Sequence, residues 1–263
     1  EYNTCLYVKP DFWSARLERA RLHRQIALRA QSINNNNNNT ALYDEQMVHA
    51  THDYQLIIDR YQEDTLTSEE REHIKSSLSS MDMIATGHDH HKGSPRDHAL
   101  IELAWIHTVQ AQYEKAVQCY HMLLNSNNSN NSNSGNSSNN RGNSEGDARD
   151  NSTRLAHELT CYEGLALIYA QLQKHDRAIQ FLNILLAHYK NSGSDSGDGN
   201  DSADSLLSTV SNLYIKRAIS FEAMGKYTSA IADCTMIINN HSHNHTSGTL
   251  LYGLITRAKC FMQ

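Results

Sequence analysis

The stretch "KRAISFEAMGKYTSAIADCTMII", residues 216–238, sets Ala218, Gly225 and Ala230 at fixed distances within an amphipathic helical pattern. Small side chains at such offsets let two helices approach closely, and the glycine supplies a tight turn between them. The same spacing returns upstream. Ala178 in "QKHDRAIQFLNILL" and Ala116 in "AQYEKAVQCYHMLL" align with Ala230, and twelve residues before each lies another alanine: Ala218, Ala166 and Ala104. Aromatic residues follow the alignment, as in Tyr214/Tyr162, Phe221/Tyr169 and Tyr227/Tyr113. Each unit reads as two antiparallel helices joined by a short turn such as "MGKY" at 224–227.

Composition agrees with helices only. The 263 residues include two prolines and show no clear period-2 apolar run, which argues for an all-α protein. Hydrophobic residues are 39% of the chain, a low value produced locally by Asn/Ser/Gly tracts. The net charge of −6 leaves no basic footprint for nucleic acid. The basic segment "ARLERARLHRQIALR" (15–29) reads as a solvated helix face rather than a membrane-surface or calmodulin-type helix. No apolar run approaches the roughly 18 residues that span a bilayer. The start at Glu1 and the stop at Gln263 within a repeat pattern are those expected of a segment of a longer chain.

The repeating unit resembles the tetratricopeptide repeat, a helix pair of about 34 residues. The residues that carry this are Tyr162-x2-Leu165-Ala166-x2-Tyr169 with Ala178, Leu182 and Leu185, and Tyr214-x2-Arg217-Ala218-x2-Phe221 with Gly225, Tyr227 and Ala230. The resemblance implies an α-solenoid, a right-handed superhelix of helix hairpins, with disordered Asn/Ser-rich loops. The organisation that follows is the end of a preceding repeat at 1–10, then a repeat with an Asn-rich insert at 11–62, its small positions at Ala20 and Ala50. A connecting helix and a His-rich loop occupy 63–96. Repeats then fall at 97–124, 155–190 and 206–239, with disordered inserts at 125–154 and 191–205, a loop at 240–249, and the start of a further repeat at 250–263. The tracts lack the apolar content to offset ordering entropy, and added length at a turn is weakly penalised.

In repeats of this kind the second, fifth, ninth and twelfth positions of the first helix face the inner groove. Those offsets select Ile101 and Trp105, then Leu167, then Ile215 and Ile219, as an apolar protein-binding groove with Trp105 as its anchor. A carboxylate clamp for chaperone C-termini needs Lys followed four residues later by Asn on a first helix. Asn212 and Lys216 stand in the reverse order, so the pattern argues against that activity.

The order of parts is similar to one narrower group. "KPDFWSARLERARLH" (9–23), "ATHDYQLII" (50–58), the acidic helix "TSEEREHIKSSLSSMDMI" (67–84) and "QYEKAVQCYHMLL" (112–124) resemble the endoplasmic-reticulum DnaJ-type co-chaperones. These carry tetratricopeptide repeats ahead of a J domain. The resemblance implies binding of unfolded or partly folded client proteins and their delivery to a DnaK-class chaperone in the endoplasmic reticulum lumen. No His-Pro-Asp signature occurs, so a J domain would lie outside this segment. The alternatives are an adaptor for assembly of a dedicated complex in the cytoplasm or nucleus, and a regulatory segment of a larger enzyme.

Catalytic and metal chemistry find little support. There is no phosphate-cradling glycine loop, no nucleophile–base–acid order and no pair of carboxylates on a concave scaffold, so a non-enzymatic chain with no cofactor is expected. The histidines of "HDHHKG" (His88, His90, His91) and "HSHNH" (His241, His243, His245) lack a carboxylate or cysteine framework, and no metal site is expected there. Five cysteines at wide spacing form no CxxC pair and read as small buried side chains.

Overall fold

The computed structural model describes residues 1–9, 12–32, 37–60, 94–132, 144–192, 200–240 and 248–262. Among the described residues the regular structure is helical and no strand occurs. The helices are α1 (Tyr2–Val8), α2 (Trp13–Ser32), α3 (Asn37–Arg60), α4 (Pro95–Val109) and α5 (Tyr113–Ser132). They continue as α6 (Ser144–Gln171), α7 (His175–Ser192), α8 (Asn200–Ala223), α9 (Tyr227–Asn240) and α10 (Gly248–Phe261). The fold class is an all-α solenoid of helix hairpins. Two compact units, Glu1–Glu158 and Leu159–Gln263, divide the chain within α6.

The hairpins form for the reason the alanine spacing suggests. Ala20 and Ala50, Ala104 and Ala116, Ala166 and Ala178, and Ala218 and Ala230 are all buried. In the second unit Ala166, Leu182, Leu185, Leu186, Leu213, Tyr214 and Ile237 make one core shared by α6 to α9. Ala218, Ala230, Cys234 and Cys260 make the next, between α8, α9 and α10. Aromatic rings fill the space beside the alanines. Phe181 stacks on Tyr162 at 5.9 Å and on Tyr169 at 5.8 Å between ring centroids.

The three short turns share one geometry. Ala111, Gln173 and Gly225 occupy the same offset and all adopt positive φ, at 56°, 60° and 70°. Around each, the helix ends in the Schellman arrangement. The Gln112 N–H donates to the His107 carbonyl at 2.8 Å, Lys174 N–H to Tyr169 at 2.8 Å, and Lys226 N–H to Phe221 at 2.9 Å. Two of the three left-handed positions thus hold residues with a Cβ.

Ion pairs lock the outer hairpins. Arg19 donates from Nε to Asp53 Oδ2 at 2.8 Å and from Nη2 to Oδ1 at 2.6 Å. Arg217 makes the same fork to Asp233, at 2.8 and 2.6 Å. In each case Nη1 donates to an asparagine of the preceding helix, Asn3 on α1 or Asn183 on α7. The arginine sits one residue before the first-helix alanine, and the aspartate three residues after the second-helix alanine. At these positions the middle hairpins carry Leu103 with Cys119 and Leu165 with Phe181. An ionic pair and an apolar pair therefore fill the same place in the design.

The structure departs from the sequence reading in the inserts. α5 runs to Ser132 and α6 begins at Ser144, so helix enters the 125–154 region expected to be disordered. α7 extends to Ser192 and α8 begins at Asn200, within the 191–205 insert, and α3 begins at Asn37 inside the asparagine run. Extending an existing helix adds one hydrogen bond per residue without a new nucleation step, so weak helix formers can follow. The acidic connecting helix at 67–84 and both histidine-rich segments lie outside the described residues.

Candidate protein-binding face

The first helices of successive repeats in the second unit, α6, α8 and α10, carry the groove positions. On α6 and α8, Leu167 is 45% exposed and Ile219 39% exposed, while Ile215 is half-buried against the core. Lys216 of α8 donates a hydrogen bond to the Glu163 carboxylate of α6, one helical turn from Leu167. This pair ties the two helices together beside the aliphatic side chains.

The same offsets applied to α10 give Tyr252, Ile255, Lys259 and Met262, all exposed. These were readable by extending the rule one helix further, and sequence reasoning stopped short of them. Leu167, Ile219, Tyr252 and Ile255 therefore offer apolar side chains on three first helices of one unit. Glu163 and Glu222 supply negative charge beside them, and Lys216 and Lys259 positive charge. The arrangement can bury an apolar segment and fix its direction by flanking charges; it presents no nucleophile–base pair.

The first unit is different. Ile101 and Trp105 lie on α4 and are half-buried. The guanidinium of Arg24, from α2, sits 4.8 Å from the Trp105 ring centroid, so one face of the ring already has an occupant. Glu102 binds the same cluster, 3.2 Å from Arg24 and 3.7 Å from Arg21. The sequence-selected residues thus separate: Leu167, Ile215 and Ile219 share the second unit, and Ile101 and Trp105 belong to the first. Nothing in local periodicity announces a cation from α2 over a ring on α4.

Several titratable groups in these helices are buried. His157 meets the His98 ring edge-on at 5.1 Å and the Asp97 carboxylate at 3.9 Å, and burial lowers its pKa from the ordinary 6.5. Burial pushes the Cys119 and Cys234 thiols up to about 11, which suppresses thiolate formation. Among the described residues no three His, Cys, Asp or Glu side chains converge to hold a metal ion.

No helix among the described residues is long and apolar enough to cross a membrane. A search of curated proteins found no match. The family model described as tetratricopeptide repeat matches residues 161–192, the last eleven residues of α6 and all of α7. That segment holds Ala166, Ala178 and the stacked rings of Tyr169 and Phe181. Residues 161–192 are thus similar to a tetratricopeptide repeat, and the neighbouring hairpins share the same small-residue spacing and turn.

Proposed function

We propose that this chain is a non-catalytic scaffold that binds apolar segments of unfolded or partly folded client proteins on the α6–α8–α10 face. The observation that carries this reading is the exposure of Leu167 and Ile219 on adjacent first helices that share one apolar core and are bridged by the Lys216–Glu163 hydrogen bond. Exposed aliphatic side chains grouped on one face are a feature of protein-binding surfaces. In the narrower reading the client passes to a DnaK-class chaperone through a J domain elsewhere in the polypeptide, in the endoplasmic reticulum lumen. Support for that step is the sequence resemblance alone.

The test replaces Leu167 and Ile219 together by aspartate. Both side chains are solvent-exposed, so helix content and melting temperature should stay close to wild type. Capture of a chemically denatured model client should fall on the order of tenfold or more, the loss of one to two interface anchors. Unchanged capture by a folded double variant removes this face from the proposal. Stimulation of a DnaK-class ATPase by the complete polypeptide separately tests the co-chaperone step.

A further inference from the structure

Two of the five cysteines share one core. Cys234 of α9 and Cys260 of α10 are free thiols, 1% and 4% exposed, and with Ala218 and Ala230 they make the cluster between α8, α9 and α10. Cys5 and Cys119 belong to the first unit, and Cys161 is not part of this cluster. The seam between α9 and α10 is tight. A Cβ added at Gly253 would stand 3.4 Å from the Ile237 side chain, so glycine there lets the two backbones approach, as a bridge between helices requires. Ile237 lies near the end of α9 and Gly253 near the start of α10, as in an antiparallel pair. Cys234 is three residues before Ile237 and Cys260 seven after Gly253, spacings that keep each thiol on the face making this contact. Cα–Cβ bonds tilt toward the start of their own helix, which here inclines Cys234 and Cys260 toward one another. The Cys234 thiol is pushed up to about 11 by burial first and by the neighbouring Cys260 next.

We propose that Cys234 and Cys260 form a redox-responsive pair, which a small-molecule disulfide such as oxidised glutathione closes into an intrachain disulfide that pins α10 to α9. The chemistry is two successive thiol–disulfide exchanges. One cysteine gives up its proton to water, attacks a sulfur of the oxidant and forms a mixed disulfide, releasing the first glutathione thiolate. The second cysteine, also deprotonated, attacks the protein sulfur of that mixed disulfide and releases the second. The pair loses two electrons and two protons, and the S–S bond of the oxidant is replaced by two thiols. Both cysteines are buried and weakly acidic, so exchange passes through local opening of α10. Cys260 attacks first, because it stands beside Phe261, 64% exposed at the end of that helix. Oxidants of this class act in compartments where protein disulfides persist; in a reducing compartment the pair stays open. α10 also carries Tyr252 and Ile255 of the proposed client face, yet the thiol chemistry is independent of that reading and is measured without a client.

The experiment treats the reduced 263-residue chain, carrying Cys5→Ser to remove the exposed thiol, with oxidised glutathione in the folded state and separately in urea. Non-reducing digestion and mass spectrometry of the folded sample should find one bridged peptide, joining Cys234 to Cys260, whereas urea should give mixed bridges. Maleimide labelling after denaturation should fall from four adducts to two. Amide exchange in α10 should slow on the order of tenfold, because a bridge between residues 26 positions apart restricts opening. Cys234→Ala and Cys260→Ala, each alone, should show no such slowing. Oxidised folded protein that keeps four free thiols, or bridges instead to Cys119 or Cys161, would overturn the proposal. So would unchanged α10 exchange in the bridged protein.

Discussion

At the scale of single residues, the Arg217–Asp233 fork shows how much depends on both partners being present. Asp233 is buried, and the hydrogen bonds its carboxylate accepts from Arg217 hold the Arg217 pKa above its ordinary value against the opposing effect of burial. Removing the carboxylate strands a half-buried guanidinium, so Asp233→Leu should destabilise the second unit by about 3 kcal/mol in urea melts. Arg217→Leu with Asp233→Phe should recover most of that loss, because the 165/181 position shows the site accepts an apolar pair. His157 makes a pH prediction of definite sign. Its folded pKa is lowered, so below pH 6.5 the unfolded chain takes up the proton before the folded one does. Its contribution is whole above 6.5 and is lost as pH falls through and below that value. Melting temperature should drop between pH 7 and pH 5.5, and His157→Phe should shrink the drop. His107, lowered by burial and then by Lys115, adds to the same trend.

At the scale of elements, the turns decide how well each hairpin closes. Gly225 adopts φ 70° with open space around the place of a Cβ, whereas Ala111 and Gln173 hold the same backbone with side chains that disfavour it. Ala111→Gly and Gln173→Gly should each raise stability by roughly 0.5–1 kcal/mol, after allowing for the greater entropy that glycine loses on folding. Gly225→Ala should lower it by about 1 kcal/mol. Thermal melts of the three variants check both signs. Opposite behaviour would mean that the turns are not the strained elements of the hairpins.

Over the whole molecule, stability in a stack of hairpins is a sum of local terms, each repeat answering mainly to its neighbours. That predicts uneven chemistry along the chain. Cys5 is exposed, while Cys119, Cys161, Cys234 and Cys260 are buried in or beside the hairpin cores. Brief maleimide treatment of the native protein should give one adduct, at Cys5, and five after denaturation. Additional native labelling confined to Cys260 would show α10 opening before the rest. That result would agree with the exposed apolar side chains of α10.

The sequence by itself determined the hairpins. Alanines twelve residues apart, aromatic residues beside them and a turn residue at Gly225 are local patterns, and helix pairing is governed by contacts between near neighbours in the chain. The insert boundaries were less legible, because weak helix formers continue a helix that stronger neighbours have started. Only the tertiary structure decided which apolar residues remain available. Trp105 and Leu167 look alike by offset, yet Arg24 covers one and solvent meets the other. The arginine–aspartate forks were equally hidden, although an arginine before the small residue and an aspartate three after its partner alanine are visible once the pairing is known. The physical reason is the same in both cases: periodicity reports the face a side chain takes, whereas its covering depends on residues distant in sequence that the fold brings alongside.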